Sequence, residues 1–216
     1  MKRLAFFLFF LLLFARGVGF PASAAKAGEA LPDAEHELLE RIARAASVVE
    51  TLEGRFEEEK HISLLEAPLL SSGRFYLEPP DRLLWETLEP ERAGFAMDGK
   101  TARRWRASPE DAEIFPLERA PGLKAFAENV FMWMEMDAVK IQGAYRISVV
   151  KEDPVTLKLV PLSAESGPVD HIRIAFSPDL THARTVEIHE AGGDYTRLRF
   201  PETVLNAPRR ENLFHR

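Results

Sequence analysis

The stretch GRFYLEPPDRLLWETLEPERAGFAMDGKTARRW, residues 73–105, decides the fold of this chain. Apolar and polar residues alternate along four parts of it, which is the pattern of β-strands that bury one face. Pro79-Pro80-Asp81 separates the first part from the second, and Asp98-Gly99 is a strong two-residue hairpin signal between the third and the fourth. The stretch therefore predicts antiparallel strands joined by tight turns.

The same alternation continues on both sides of this stretch. It covers residues 55–106 and returns over residues 145–200, where Ser177-Pro178-Asp179 and Gly192-Gly193-Asp194 supply further turns. These segments give nine to eleven short strands, and the protein is mainly β with helices. A sheet of that size curls. We therefore expect one curved antiparallel meander.

Two segments have helical periodicity instead. Asp33 is a suitable N-cap for a helix over residues 34–50, and a second helix is predicted over residues 122–137. The second helix is the long segment that interrupts the strands. Its apolar stripe consists of Leu123, Phe126, Ala127, Val130, Phe131 and Met134.

The end of the second helix is apolar on nearly every side. Its sequence NVFMWMEM, residues 129–136, holds three of the five methionines in the chain. Met132 and Met136 fall opposite the stripe, and Trp133 lies between the two faces. Such a helix end must contact two apolar partners, of which the sheet is one. Core packing is the better explanation for the stripe, whereas Met132 and Met136 fit core packing and a ligand surface equally well.

Residues 1–24 have the features of a cleaved secretory signal. A basic start precedes an unbroken apolar run from Leu4 to Phe14, and Ala22-Ser23-Ala24 offers the small residues that a signal peptidase accepts. The run is shorter than the roughly 20 residues that span a bilayer, so an uncleaved anchor is the weaker alternative. Because no cysteine follows, lipidation of the bacterial lipoprotein type is excluded. We expect a soluble, exported mature protein with one domain over residues 25–216.

Charge excludes two classes of partner. Removing residues 1–24 takes away three of the 28 basic residues and no acidic one, which leaves 25 against 34 and a net charge of −9. This balance argues against nucleic acid and against a polybasic membrane anchor. The cluster Arg103-Arg104-Trp105-Arg106 is therefore interpreted as an edge strand that carries protective charge.

Catalytic and metal-binding patterns are missing from the sequence. It contains no Gly-x-Ser-x-Gly elbow, no glycine-rich phosphate loop and no cysteine for a disulfide or a thiolate metal site. His171, His182 and His189 could approach one another on neighbouring strands, but single histidines on strands usually face solvent. We expect no catalytic residue, no metal and no cofactor. A lipid hydrolase would need a nucleophile beside a histidine and an acid.

Two parts of the chain carry a resemblance to a known family. They are RFEEEKHISLLEAPLLSSGRFYLEPPDRLLWETLEPERAGFAMDGKTARRW, residues 55–105, and HIRIAFSPDLTHARTVEIHEAGGDYTRLRFPETVLNAP, residues 171–208. The order and spacing of Gly73, Pro80, Trp85 and Asp98-Gly99 are similar to those of the LolA-type periplasmic outer-membrane lipoprotein carriers. The resemblance extends over nearly the whole mature chain.

This resemblance implies a fold and an activity. The fold is an incompletely closed antiparallel β-barrel whose concave apolar side is covered by a helical lid. Such carriers take a lipidated protein from an inner-membrane exporter, shield its acyl chains in the periplasm and pass it to an outer-membrane acceptor. We therefore expect a monomer that carries a lipoprotein or another lipid, and the sequence does not separate lipoprotein from glycolipid or pigment cargo.

The candidate lipid-binding residues come from the sheet and from the second helix. They are Phe75, Leu77, Leu83, Trp85, Phe95, Met97, Phe126, Val130, Phe131, Met132, Trp133, Met134 and Met136. Flexible methionines suit a ligand without a fixed shape. The alternative is a periplasmic adaptor that docks on a lipid-exporting transporter and carries nothing. It predicts a filled sheet interior and an exposed patch around Met132 and Met136.

One position departs from the family pattern. Family members often have an arginine directly before the proline that corresponds to Pro80, and that arginine holds the lid by hydrogen bonds. Here the position is Pro79, which has no side-chain donor and no backbone N–H. We therefore expect the lid to be held in another way or not at all, as in a divergent paralogue.

Overall fold

The computed structural model describes residues 33–136, 138–163, 168–210 and 213–214. The expected signal sequence at residues 1–24 lies outside the described residues. Within them the helices are α1 (Asp33–Ala46), α2 (Pro121–Glu135) and α3 (Ala138–Ala144), with short 3-10 turns at Pro109–Asp111 and Leu117–Arg119. The strands are β1 (Leu52–His61), β2 (Leu69–Glu78), β3 (Arg82–Glu89), β4 (Ala93–Asp98), β5 (Thr101–Arg106), β6 (Glu113–Pro116), β7 (Tyr145–Glu152), β8 (Val155–Pro161), β9 (Val169–Phe176), β10 (Ala183–Glu190), β11 (Tyr195–Arg199) and β12 (Thr203–Leu205).

All twelve strands belong to one antiparallel sheet, which confirms the expected fold class. Along the sheet the order is β6-β5-β4-β3-β2-β1-β11-β10-β9-β8-β7, and β12 pairs with the start of β1. The sheet therefore consists of two meanders, β1 to β6 and β7 to β11, joined where β1 pairs with β11. Strands β6 and β7 end this path on opposite sides, and no pairing between them is seen among the described residues.

The alternation in the sequence becomes an inner and an outer face. On β2, Phe75 and Leu77 belong to the main core, whereas Tyr76 belongs to a second cluster on the other face. Gly73 is required by close packing, because a Cβ there would lie 2.6 Å from Cζ of Phe56. Gly99 adopts φ +84° in the turn between β4 and β5, which glycine does without strain.

Helices α2 and α3 lie between the two meanders in the sequence, whereas α1 precedes the first meander. Helix α1 ends at Ala46 instead of residue 50, although Val49 is still buried. Helix α2 fits the predicted second helix, and α3, which the sequence did not reveal, follows almost at once. Helices α2 and α3 connect β6 to β7 and so join the two terminal strands of the sheet. Their apolar residues belong to the main core, so the two helices cover the concave face of the sheet.

The outer face of β2 to β5 carries the second cluster. Tyr76, Leu84, Ala96 and Trp105 pack there with Phe214, near the C-terminus. The edge-strand interpretation of the arginine cluster was wrong, because β6 pairs with β5 and lies outside it. Arg103 is instead buried and donates to the carbonyl of Pro109 over 2.9 Å. Among the described residues, no helix combines the length and apolarity needed to cross a membrane.

Candidate functional site

The concave face of the sheet and helix α2 enclose a small apolar space, which we call the inner cavity. Its volume is about 80 Å³. Lining residues come from both meanders and from α2: Leu52, Phe75, Leu77, Trp85, Phe126, Val130, Trp133, Met134, His182, Ala183, Val186, Ile188, Thr196, Leu198 and Phe200. The cavity therefore lies at the junction of the two meanders, beneath the helix.

Aromatic rings fill much of the space around the inner cavity. Trp85 stacks on Phe56 with 4.3 Å between ring centroids, and it contacts Phe126 of α2 edge-on at 5.8 Å. Phe75 contacts both Trp85, at 6.0 Å, and Phe200, at 5.3 Å. These rings explain why the enclosed volume is small: α2 rests directly on the sheet through Phe126.

Helix α2 presents two kinds of side chain to its surroundings. Phe126 and Phe131 are buried in the main core, whereas Val130, Trp133 and Met134, which line the inner cavity, are half-buried. The partly exposed residues lie at the boundary between core and open space. These residues can therefore contact a ligand while the buried core residues stay packed.

A polar contact ties α2 to strand β7. Asn129 is buried, donates through Nδ2 to the carbonyl of Ala125 over 2.8 Å, and accepts a bond from the hydroxyl of Tyr145 at 3.4 Å. Burial raises the pKa of Tyr145, and the neighbouring Trp133 side chain opposes that shift. Tyr145 therefore stays a neutral hydroxyl that can donate to α2. The sequence did not point to this contact, because Asn129 falls there on the polar face of the helix.

A second and larger space, the outer cavity, lies on the other side of α2. Its volume is about 490 Å³. The walls come from the β2–β3 and β4–β5 turns, the second 3-10 turn, α2 and α3: Pro80, Asp81, Met97, Gly99, Leu117, Lys124, Ala127, Glu128, Asn129, Phe131, Met132, Lys140 and Ala144. Helix α2 is thus a partition with a largely apolar cavity on each side.

The candidate residues fall into three groups. Seven line the inner cavity, namely Phe75, Leu77, Trp85, Phe126, Val130, Trp133 and Met134. Three line the outer cavity, namely Met97, Phe131 and Met132. Leu83, Phe95 and Met136 are buried in the core and belong to the walls of neither cavity. Met136 is only 2% exposed, so it forms no surface patch with Met132.

Sequence reasoning missed the contribution of the second meander to the inner cavity. Val186, Ile188 and Leu198 alternate as strand residues, but the pairing of β11 with β1 is what brings them beside Phe75 and Trp85. Alternation marked them as inward-facing core residues. It carried no signal for their cavity role, which depends on how the two meanders join.

The inner face becomes polar beyond the cavity, towards the end of β1. Lys60 is buried and pairs with Thr196 across the β1–β11 ladder. Two residues earlier, Glu58 accepts a bond from the hydroxyl of Ser71 over 2.7 Å. Burial lowers the pKa of Lys60, and burial raises the pKa values of Glu58 and Glu190.

The histidines are distributed over both faces. His171 and His189 stack at 4.3 Å on the outer face, in a row that continues through Tyr195 to His61. His182 lines the inner cavity, and its two ring nitrogens contact the hydroxyls of Thr181 and Thr203 at 2.9 and 2.8 Å. Within the part of the chain that the structure describes, no three metal-ligating side chains come together.

An open antiparallel sheet, curled around apolar space and covered by a helix, defines the half-barrel class of folds. Within that class, the family model described as "Outer membrane lipoprotein carrier protein LolA" matches residues 47–216. The chain therefore belongs to the LolA family. The resemblance seen in the sequence is confirmed.

Solved structures with the same fold are distant in sequence. The structure of MucB is 14% identical, with a TM-score of 0.52, and the match covers 85% of this chain and 62% of that one. The complex of MucA and MucB from Pseudomonas aeruginosa is 15% identical, with a TM-score of 0.50, and the match covers 82% of this chain and 59% of that one. The chain thus spans about three fifths of these two matched chains.

A third structure matches over nearly its full length. An uncharacterized conserved protein from Thermus thermophilus is 13% identical, with a TM-score of 0.52, and the match covers 85% of this chain and 94% of that one. No curated protein matches the chain. At these identities, the structural similarities establish the fold alone.

Proposed function

We propose that this protein is a periplasmic carrier that shields the acyl chains of a lipoprotein or another lipid between the inner and outer membranes. The observation that carries the proposal is the inner cavity, where Val130, Trp133 and Met134 of α2 face an aromatic and aliphatic sheet wall. Exposing an acyl chain of about 16 carbons to water costs on the order of 12 kcal/mol, at roughly 0.8 kcal/mol per CH₂. A dry apolar wall offsets that cost.

Loading requires α2 to move. The inner cavity, at about 80 Å³, is smaller than ligand pockets, which usually measure roughly 300–1,000 Å³. The outer cavity, at about 490 Å³, lies within that range. Because α2 separates the two, a small displacement of this helix would join them into one space. The arrangement seen here then corresponds to the closed position of the lid.

The contact between Tyr145 and Asn129 suits such a lid. At 3.4 Å it is a long hydrogen bond, and a typical one contributes only about 1 kcal/mol net. Pro79, where related carriers often have an arginine, supplies no side-chain donor. We therefore infer that α2 is held mainly by the packing of Phe126 and Phe131, which an acyl chain can replace with equivalent apolar contacts.

The rest of the assignment follows from this role. Residues 1–24 would direct export, and the cargo would come from an inner-membrane exporter and go to an outer-membrane acceptor. The protein would act by binding, without a catalytic residue, cofactor or metal.

A second candidate function is the adaptor that docks on a transporter and carries nothing. Its support is the aromatic filling around Trp85, which leaves little free volume beneath α2. One protein of the same fold, MucB, also forms a complex with another protein, MucA. Against the adaptor stands the burial of Met136, which removes one half of the exposed patch that this function predicts.

Lipid loading separates the two functions. The protein is purified from cells without detergent, extracted with organic solvent and examined by mass spectrometry, and uptake of a fluorescent hydrophobic dye is titrated in parallel. Trp133→Asp places a charge in the inner cavity wall and should abolish both signals. Leu64→Asp is the matched control, because Leu64 is 91% exposed on the β1–β2 loop and lines neither cavity.

The carrier predicts bound lipid and dye uptake in the wild type and in Leu64→Asp. A wild-type protein that yields no lipid and takes up no dye, in a folded state, contradicts the carrier and leaves the adaptor. A further assay releases a lipidated test protein from inner-membrane spheroplasts, which distinguishes lipoprotein cargo from glycolipid or pigment cargo.

A further inference from the structure

Thr196 is an anomaly in the wall of the inner cavity. Its side chain is 3% exposed, and its hydroxyl oxygen has no hydrogen-bond partner among the described residues. Buried hydroxyls in proteins nearly always have a partner, and leaving one unpaired costs free energy. The lining around Thr196 is otherwise aliphatic, with Ile188 and Leu198 as its neighbours. An unpaired hydroxyl in such a wall is ready to bond a polar atom of a ligand.

The other polar wall residues differ from Thr196. Both ring nitrogens of His182 contact threonine hydroxyls. The indole nitrogen of Trp133 is buried without a hydrogen bond of good geometry among the described residues, but it lies beside the hydroxyl of Tyr145. Thr196 is therefore the hydroxyl-bearing wall residue, within the described part of the chain, whose hydrogen-bonding capacity is left over for a ligand.

The inner face of the sheet differs in polarity on the two sides of Thr196. On one side lie the rings of Phe75, Trp85 and Phe200. On the other, Thr196 pairs with the buried Lys60, and the next inner-face positions beside Lys60 carry Glu58 and Ser71. The wall thus changes from aromatic to polar at Thr196, as the junction between an apolar tail and a polar head group requires.

We propose that Thr196 donates a hydrogen bond to the carbonyl oxygen of an acyl ester or amide, with the acyl chain among the aromatic rings and the head group towards Lys60. This inference rests on the proposed carrier function and narrows it. The cargo is a molecule whose chain is attached through a carbonyl, as in acylated lipoproteins and glycerolipids. A pure hydrocarbon or an ether-linked chain lacks the group that Thr196 recognises.

Two lipids that differ only in the carbonyl test this inference. They are 1-palmitoyl-lysophosphatidylcholine and its 1-hexadecyl ether analogue, each titrated below its micelle concentration by displacement of a bound hydrophobic dye. The wild type should bind the ester about three- to tenfold more tightly than the ether, as expected for one hydrogen bond. Thr196→Val keeps the shape of the side chain and should bring the ratio to about one.

Two controls accompany that variant. Thr196→Ser retains the hydroxyl and should retain the ester preference. Thr185→Val makes the same change on the outer face of β10, opposite Arg199, and should leave the ratio unchanged. Thermal unfolding without lipid supplies a second readout, since removal of an unpaired buried hydroxyl should leave Thr196→Val at least as stable as the wild type.

The outcomes are distinct. An ester-to-ether ratio that is the same in the wild type and Thr196→Val overturns this inference and leaves the carrier function intact. A marked loss of stability in Thr196→Val, with an unchanged ratio, assigns the threonine to the fold alone. A wild type that takes up the dye but binds neither lipid overturns this inference and leaves the carrier function intact, whereas a folded wild type that takes up no dye and yields no lipid overturns both.

Discussion

Replacing Trp85 with alanine tests whether the aromatic cluster is a packed core and also a cavity wall. Trp85 is 4% exposed, stacks on Phe56 at 4.3 Å and meets Phe126 of α2 at 5.8 Å. Truncation of a buried Trp or Phe to Ala costs roughly 3–5 kcal/mol, through lost transfer free energy and the cavity left behind. For a domain of this size, each kcal/mol corresponds to roughly 2–4 °C in Tm. The expected fall is therefore about 6–20 °C.

The measurement is urea unfolding followed by far-UV circular dichroism, with Trp105→Ala as the comparison. Trp105 is also buried, but it lies in the outer cluster with Tyr76 and away from both cavities. Both variants should lose stability. A loss below about 1.5 kcal/mol for Trp85→Ala would refute the packing argument, because it is about half the lower end of the range for a buried aromatic side chain.

Ligand binding then separates the two variants. Trp85→Ala enlarges the inner cavity, so its affinity for a hydrophobic dye should equal or exceed that of the wild type, and saturating ligand should restore part of its stability. At roughly 100 times Kd a ligand that binds only the folded state contributes about 2.7 kcal/mol. Trp105→Ala should show the wild-type affinity. Loss of dye binding in Trp85→Ala alone, in a folded protein, would contradict the idea that the ring occupies ligand space.

Four further changes have defined outcomes. Phe131→Asp buries a charge in the core and should prevent folding, as judged by circular dichroism and protease resistance, whereas a folded product would place Phe131 at a surface. Asn129→Leu removes the bond from Tyr145 and should speed amide exchange in α2 while costing about 1 kcal/mol; unchanged exchange would show that packing alone holds the helix. Burial lowers the pKa of His182 in the folded state below its unfolded pKa of about 6.5. The unfolded state therefore binds a proton first, so stability is complete above about pH 6.5 and falls as the pH drops towards the folded pKa. His182→Gln should remove this dependence and flatten Tm between about pH 7.5 and 5. Leu64→Ser, at an exposed loop tip, should change stability by less than about 0.5 kcal/mol in urea unfolding, and a larger loss would indicate hidden packing.

Local patterns in the sequence were sufficient for the strands and for most turns. Phe75 and Leu77 alternate with polar neighbours on β2, and Asp98-Gly99 begins the β4–β5 turn that its composition predicts. These features depend on residues two to four positions apart, so they can be recognised without knowledge of the fold. The short β6 and β12, of four and three residues, carry too little alternation to be detected in the same way.

The second apolar side of helix α2 illustrates a question that sequence left open. Met132 and Met136 look equivalent on a helical wheel, but Met136 adopts φ +48° at the end of the helix and is buried, whereas Met132 lines the outer cavity. The difference arises because α3 begins two residues later and turns the chain. Periodicity describes a continuous helix and does not register such an end.

By itself the sequence determined a mainly β protein with two helical segments, because a period of two and a period of 3.6 are properties of neighbouring residues. Only the tertiary structure decided that β1 joins β11, that α2 divides the apolar space in two, and that Asn129 and Thr196 occupy special positions. The physical reason is that all three depend on contacts between residues far apart in the chain. Val186 and Trp85 share a wall through strand pairing, and no local pattern records which distant strands will pair.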